Sequence, residues 1–191
     1  PDPAKAASEL KCSWTGSFVD ADGDGDVSTY RWTITSDGVT VDPGSPSTSL
    51  IGGFAVGDQV SCIVTPTDSE GALGTDVSHT IEIANSVPVL TSVTITAPDP
   101  VLTDSLLSCA AVATDADGSA LTYSYSWTGA DGGEIGSCTD PSIESCELSL
   151  TPTMVSPKEV VTCTATVTDP QMAIARDSAW VTVGNNIPVV D

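Results

Sequence analysis

Asp20, Asp22, Asp24 and Asp26 take every second position of one short run, with Ala21, Gly23 and Gly25 between them. Hard cations such as calcium take six to eight oxygens from carboxylates, carbonyls and water. A loop with Asp at alternate positions and small residues between can gather several carboxylates around one ion. Left without a counter-charge, four carboxylates this close repel one another, and more so the less water they see. The run is not an EF-hand, because no Glu stands at the twelfth loop position and no helices flank it. The simpler alternative is a turn, since Asp and Gly both suit turn backbones.

The run returns later in the chain. Asp20-Ala-Asp22-Gly-Asp24-Gly-Asp26-Val-Ser-Thr-Tyr30-Arg-Trp32 reappears as Asp115-Ala-Asp117-Gly-Ser119-Ala-Leu-Thr-Tyr-Ser-Tyr125-Ser-Trp127. The second copy keeps Asp115 and Asp117 but has Ser119 and Leu121 where the first has Asp24 and Asp26, so its site is expected to be weaker or differently completed. Each copy has a Cys upstream (Cys12, Cys109) and another downstream (Cys62, Cys163), then a Thr-Asp pair ending in Asp68 or Asp169. Each closes on Asn-x-x-Pro, Asn85 to Pro88 and Asn185 to Pro188. An internal repeat of about a hundred residues makes the function a question about an array of modules.

Composition narrows that question. The net charge is −21, with five basic residues in 191. Binding phosphates needs Lys and Arg, so the composition argues against a nucleic-acid or anionic-membrane partner. The acidity must be screened by salt or met by bound cations. A merely solvated acidic surface is the bland alternative. Six cysteines without a Cys-x-x-Cys spacing read as disulfides rather than a metal site, which implies an oxidising, extracellular compartment. No apolar run approaches a membrane span, and no signal peptide is visible, which reads as a slice of a longer secreted chain.

The elements that must position the aspartates are strands. Val60–Val64, Thr80–Ile83, Val89–Thr96, Leu121–Trp127, Val160–Val167 and Trp180–Val183 are rich in Val, Ile and Thr, and Gly and Pro punctuate the chain at short intervals. No segment has a helical period. Two units of this length predict an all-β chain of two tandem β-sandwiches, residues 1–86 and 87–186, with 187–191 opening a further unit.

The order Cys, then Trp, then Cys resembles the immunoglobulin pattern: 12, 32 and 62 in one unit, 109, 127 and 163 in the other. That resemblance implies immunoglobulin-like sandwiches with Cys12–Cys62 and Cys109–Cys163 joining the two sheets beside Trp32 and Trp127. Each bond would close a loop of about fifty residues, worth about 4 kcal/mol by chain entropy. Cys138 and Cys146 remain, in a stretch where unit two is six residues longer between Trp and Cys, and are expected to pin a local loop. The tyrosine corner of antibody-type domains is missing, since Val60 and Val161 stand there.

In a sandwich of this type the loop carrying the aspartates and the loop beginning at Asp68 or Asp169 lie at one end. The linker enters at that end too, so Asn85 is expected near Asp115, Asp117 and Asp169, sharing a calcium ion at the junction. The Asp-x-Asp-Gly-Asp and Tyr-x-Trp run resembles bacterial polycystin-type (PKD) and Ig-like repeats, and Thr-Ala-Thr-Val-Thr-Asp169 through Asn-Asn-Ile-Pro188 is similar to the end of a cadherin-type repeat. These resemblances imply tandem extracellular modules for adhesion, spacing or fibre building, often with calcium. The linkers depart from a true cadherin junction, with Asn-Ser and Asn-Asn in place of an Asp-rich core.

Pro-Asp-Pro precedes the first Cys of both units, yet only the second has a strand-like segment, Val89–Thr96, ahead of it. The first unit is therefore expected to lack its first strand. Either a neighbouring chain donates one, with Val189-Val190 as the start of such a donor, or the chain is cut from a continuous array. Trp14 and Trp180 are unmatched between the copies. Core or rim packing is expected of them, and a sugar or partner contact is the alternative. His79, the only histidine, aligns with Trp180, which argues against a shared catalytic or zinc role.

No nucleophile elbow, phosphate loop or zinc motif is present. Two Asp across a cleft can hydrolyse a glycoside, but acids repeated in tandem favour structure over catalysis. The reading is a non-catalytic, calcium-stiffened repeat of an extracellular fibre, stalk or adhesin, partnered by neighbouring repeats or copies of the same chain. A carbohydrate-binding or spacer module of a secreted enzyme is the alternative.

Overall fold

The computed structural model describes residues 2–14, 16, 18–139 and 144–188. The Val189-Val190 segment expected to begin a donor strand lies outside them. The described residues form strands and no helix, and the chain divides into two compact units, Pro1–Ser86 and Val87–Asp191.

The second unit is the more complete sandwich. Its strands are β7 (Val89–Thr96), β8 (Leu106–Thr114), β9 (Thr122–Thr128), β10 (Glu134–Cys138), β11 (Ser145–Ser149), β12 (Val160–Thr168) and β13 (Ile174–Thr182). One sheet has the order β11-β8-β7 and the other β10-β9-β12-β13, all antiparallel. This is an immunoglobulin-like arrangement. The strand β12 alternates strictly, with Val161, Cys163, Ala165 and Val167 buried and the residues between them half-exposed. Such alternation is what a strand with one face on the core requires. Val161, Cys163 and Ala165 pack with Leu107, Tyr125, Trp127 and Leu148 into one apolar cluster, which Val93 and Ile95 of β7 close along one edge.

Among the described residues the first unit repeats this plan with one strand fewer. Its strands are β1 (Glu9–Lys11), β2 (Thr29–Ser36), β3 (Val39–Val41), β4 (Ser49–Ile51), β5 (Gln59–Thr65) and β6 (Val77–Glu82). They form the sheets β1-β4 and β3-β2-β5-β6. Trp32 lies opposite Cys62 on β5, as Trp127 lies opposite Cys163 on β12. The core holds Leu10, Trp32, Ile34, Val60, Val64 and Ile83.

Three disulfides join Cys12 to Cys62, Cys109 to Cys163 and Cys138 to Cys146. The third is more than the local loop pin expected from its short span. Cys138 ends β10 in one sheet and Cys146 lies fully buried on β11 in the other, so this bond fastens the two sheets together. Sequence separation does not reveal it, because strands eight residues apart can belong to opposite layers.

Strand register corrects another expectation. Cys62 lies opposite His79, and Cys163 lies opposite Ala179, so the counterpart of His79 is Ala179 and Trp180 matches Thr80. A slip of one residue exchanges the faces of a strand. Trp180 therefore sits on the outer face of β13, 68% exposed, where core or rim packing had been expected. Trp14 is half-buried and packs against the first unit's core.

Candidate metal centre

The acidic loop of the first unit joins the two sheets ahead of β2, and its shape is set by one carboxylate. Asp20 Oδ1 accepts the backbone N–H groups of Asp22 at 2.8 Å, Gly23 at 2.9 Å and Asp24 at 3.2 Å. Three donors converge on one oxygen because Gly23 turns the chain at φ +88°, in a region where a side chain would be strained. These bonds favour the charged form of Asp20. Its pKa lies below the ordinary aspartate value, owing first to the Asp24 N–H and then to the Asp22 N–H.

The consequence is a cluster of acids. One carboxylate oxygen from each of Asp20, Asp22 and Asp24 lies within 4.8 Å of the others, with Asp20 and Asp24 half-buried and Asp22 exposed. Oxygens bound to calcium at 2.3–2.6 Å fall within about 5 Å of one another, so this spacing fits the coordination sphere of a hard cation. The unit's own basic side chains are engaged elsewhere. Lys11 reaches Glu9 at 3.6 Å, Arg31 reaches Asp76 at 3.9 Å, and Lys5 Nζ donates to the Asn85 carbonyl at 2.9 Å.

Other predicted residues also accept local hydrogen bonds. Asp26 Oδ1 accepts from the Ser28 hydroxyl and from the Ser28 N–H, and these bonds, the hydroxyl first, lower its pKa. Asp26 and Asp68 face each other in a single antiparallel bridge, with the Val27 N–H donating to the Thr67 carbonyl at 2.8 Å. The aspartate loop and the turn after β5 therefore meet at one end of this sandwich. In the turn after β5, Asp68 Oδ1 accepts from Glu70 N at 2.9 Å and from Ala72 N at 2.8 Å. Asp169 does the same in the second unit, accepting from Ala173 N at 2.8 Å, and it is buried.

Asp115 Oδ1 accepts the Asp117 N–H at 2.7 Å, and both residues are half-buried. Among the described residues, Asp26, Asp68, Asp115, Asp117 and Asp169 belong to no group of three acids at metal-ligand spacing. Asn85 is half-buried at the end of the first unit, whereas Asp115, Asp117 and Asp169 belong to the second. Ser69 was not foreseen. Its hydroxyl accepts the Gly25 N–H at 3.2 Å and ties the acidic loop to the turn 44 residues away. No local pattern signals a contact made only when two loops meet.

No family model matches the chain, and no curated protein matches it. Solved structures do resemble it. The fibronectin(III)-like modules of Clostridium thermocellum CbhA are 15% identical, with 95% of this chain and 88% of that one covered and a TM-score of 0.37. A Ca2+-stabilized adhesin that helps an Antarctic bacterium bind ice is 14% identical, with 95% and 45% covered and a TM-score of 0.44. A 1.5-MDa bacterial ice-binding adhesin is 17% identical, with 86% and 55% covered and a TM-score of 0.39. This chain thus spans about half the length of those two adhesin chains. Likenesses this distant carry no function, and the fold assignment rests on the sheet order itself. Among the described residues no helix is long and apolar enough to cross a membrane.

Proposed function

We propose that this chain is a non-catalytic structural repeat segment of an extracellular fibre, stalk or adhesin, whose acidic loops bind calcium and are stiffened by it. Three disulfides fit an oxidising compartment outside the cell. Two units built to one plan fit an array whose modules space or display something. The observation that carries the calcium reading is the set of three carboxylate oxygens within 4.8 Å at Asp20, Asp22 and Asp24, beside a set of basic side chains paired elsewhere. Asp115 and Asp117, two acids against three, would hold a cation more weakly.

The test is a melting curve of the chain with calcium and with chelator. A ligand that binds only the folded state stabilises by about 2.7 kcal/mol at a hundred times its dissociation constant. The expected outcome is a calcium-dependent rise in the first unit's midpoint that disappears in Asp22→Asn/Asp24→Asn. Identical curves with calcium and chelator would remove the metal from the proposal.

One observation favours a second reading, a carbohydrate-binding or spacer module of a secreted enzyme. Trp180 lies 68% exposed on a sheet face, as an aromatic platform for a sugar would. Retention on a glycan array, lost in Trp180→Ala, would support that reading over the shaft.

A further inference from the structure

Trp180 stands on a sheet face that the acidity of the chain avoids. The outward positions of β9, and of β12 from Thr162 to Thr168, are all Thr or Ser. Opposite them on β13 come Trp180, Ser178, Arg176 and Ile174. None is a carboxylate, in a chain with 26 Asp and Glu among 191 residues. Asp177 has the inward parity, opposite the buried Ala165, and Glu134 stands at the rim on β10, opposite Thr128.

The hydroxyls on this face are arrayed in pairs. Those of Thr164 and Ser178 lie 3.0 Å apart across the strands, and Arg176 Nε donates to Thr166 Oγ1 at 3.3 Å. A hydroxyl has one proton and two lone pairs, so each member of such a pair keeps capacity for a ligand. Among the described residues Arg176 makes no ion pair, whereas Arg31, on the corresponding sheet of the first unit, reaches Asp76 at 3.9 Å. Trp180 is 68% exposed. The first unit has Thr80 at that place, its hydroxyl 2.7 Å from that of Ser61. The apolar plate beside the hydroxyls thus belongs to the second unit.

Strand geometry sets the size of the face. From Ile174 to Trp180 β13 spans about 20 Å, and three strands are about 10 Å across. A stable dimer buries about 800 Å² per partner, far more than such a face offers. A peptide strand pairs through its backbone at a sheet edge, and this is a face. The net charge of −21 repels an anionic polymer, and a cationic one finds no carboxylate here. A narrow, flat, uncharged and hydroxyl-rich ligand remains.

We propose that this face binds an uncharged chain of pyranose sugars with equatorial ring substituents, lying along β13. Trp180 stacks on the C–H face of one ring, and Ser178, Thr164 and Arg176 bond to hydroxyls of the rings beyond it. An axial hydroxyl would be pressed against the indole and left without a partner, which costs binding. The proposal rests on the carbohydrate reading of Trp180 and gives it a sugar class and a footprint.

The experiment titrates the whole chain with cellotetraose, read by calorimetry and by Trp fluorescence. Saturable one-to-one binding is expected. Trp180→Ala should weaken it at least about tenfold, and Thr164→Val/Ser178→Ala by about threefold to tenfold, the worth of a hydrogen bond, with melting unchanged. Should the double variant melt early, Arg176→Gln, at an exposed position, replaces it with the same expected loss. Mannotetraose, with an axial hydroxyl on every ring, should bind at least about tenfold more weakly than cellotetraose. No saturation at millimolar cellotetraose, equal binding of mannotetraose, tighter binding of tetragalacturonate, or indifference to the hydroxyl and Arg176 variants would each overturn the inference. The carbohydrate reading itself survives those outcomes if some other sugar is retained on a glycan array and lost in Trp180→Ala, and it falls with the inference if none is.

Discussion

Asp58 Oδ2 accepts the Ala55 N–H at 2.7 Å, and Glu159 Oε2 accepts the Ser156 N–H at the same distance. The turns after β5 and β12 match as closely, with Asp68 N bonded to the Ala72 carbonyl and Asp169 N to the Ala173 carbonyl. The two units thus keep the same turns, and so the same sandwich corners. They differ in what closes the sandwich. The second unit has two inter-sheet disulfides, and the first has one. Corner turns therefore define the repeat, while the number of covalent ties between the sheets varies between copies.

The disulfides offer the strongest way to break this comparison. Cys12→Ala/Cys62→Ala removes a loop constraint of 50 residues worth about 4 kcal/mol, from the unit with no second bond. Urea unfolding should then show the first unit melting well ahead of the second. The matching Cys109→Ala/Cys163→Ala change costs about the same, but Cys138–Cys146 still fastens those sheets. Its own removal, closing only 8 residues, should cost about 2 kcal/mol. Equal sensitivity of both units to loss of their long disulfides would show that the extra staple contributes nothing.

Acid gives the next effect. Asp20 and Asp26 have pKa values below the ordinary aspartate value in the folded chain. Their contribution is fully present above about pH 3.9 and is lost as pH falls through the lowered folded values. Urea midpoints between pH 2 and 7 should therefore fall at the acid end for the first unit. Asp20→Asn should flatten that limb, and an unchanged limb would mean that the three backbone N–H bonds add no net stability.

The smallest effect sharpens the comparison at single residues. Met172 (φ 66°) and Lys158 (φ 78°) hold left-handed backbone where the first unit has Gly71 (φ 93°) and Gly57 (φ 88°). A side chain there costs roughly 1–2 kcal/mol, partly offset by the entropy a glycine loses on folding. Met172→Gly should stabilise the second unit by about 0.5–1 kcal/mol, and Gly71→Met should destabilise the first by a similar amount, both read from urea midpoints.

Much of this was legible in the chain. Alternating Val, Ile and Thr mark strands because a pleat has period two, and Cys and Trp at matched spacings mark a repeated sandwich. The segment Val89–Thr96 was recognised as a strand to its end residues. The acidic run was legible as a loop, because Asp and Gly favour the backbone that lets Asp20 collect three N–H groups. Only the folded turns show that Asp68 and Asp169 each accept a backbone N–H of their own turn.

By itself, then, the sequence determined the strands, the repeat and the acidic loop, since these depend on residues a few positions apart. Only the tertiary structure decided that Cys138–Cys146 crosses between sheets, that His79 matches Ala179, and that Trp180 lies exposed on the outer face of β13. Each of these depends on which distant strands lie side by side and in what register, and a one-residue shift leaves the local pattern almost unchanged while it reverses every face.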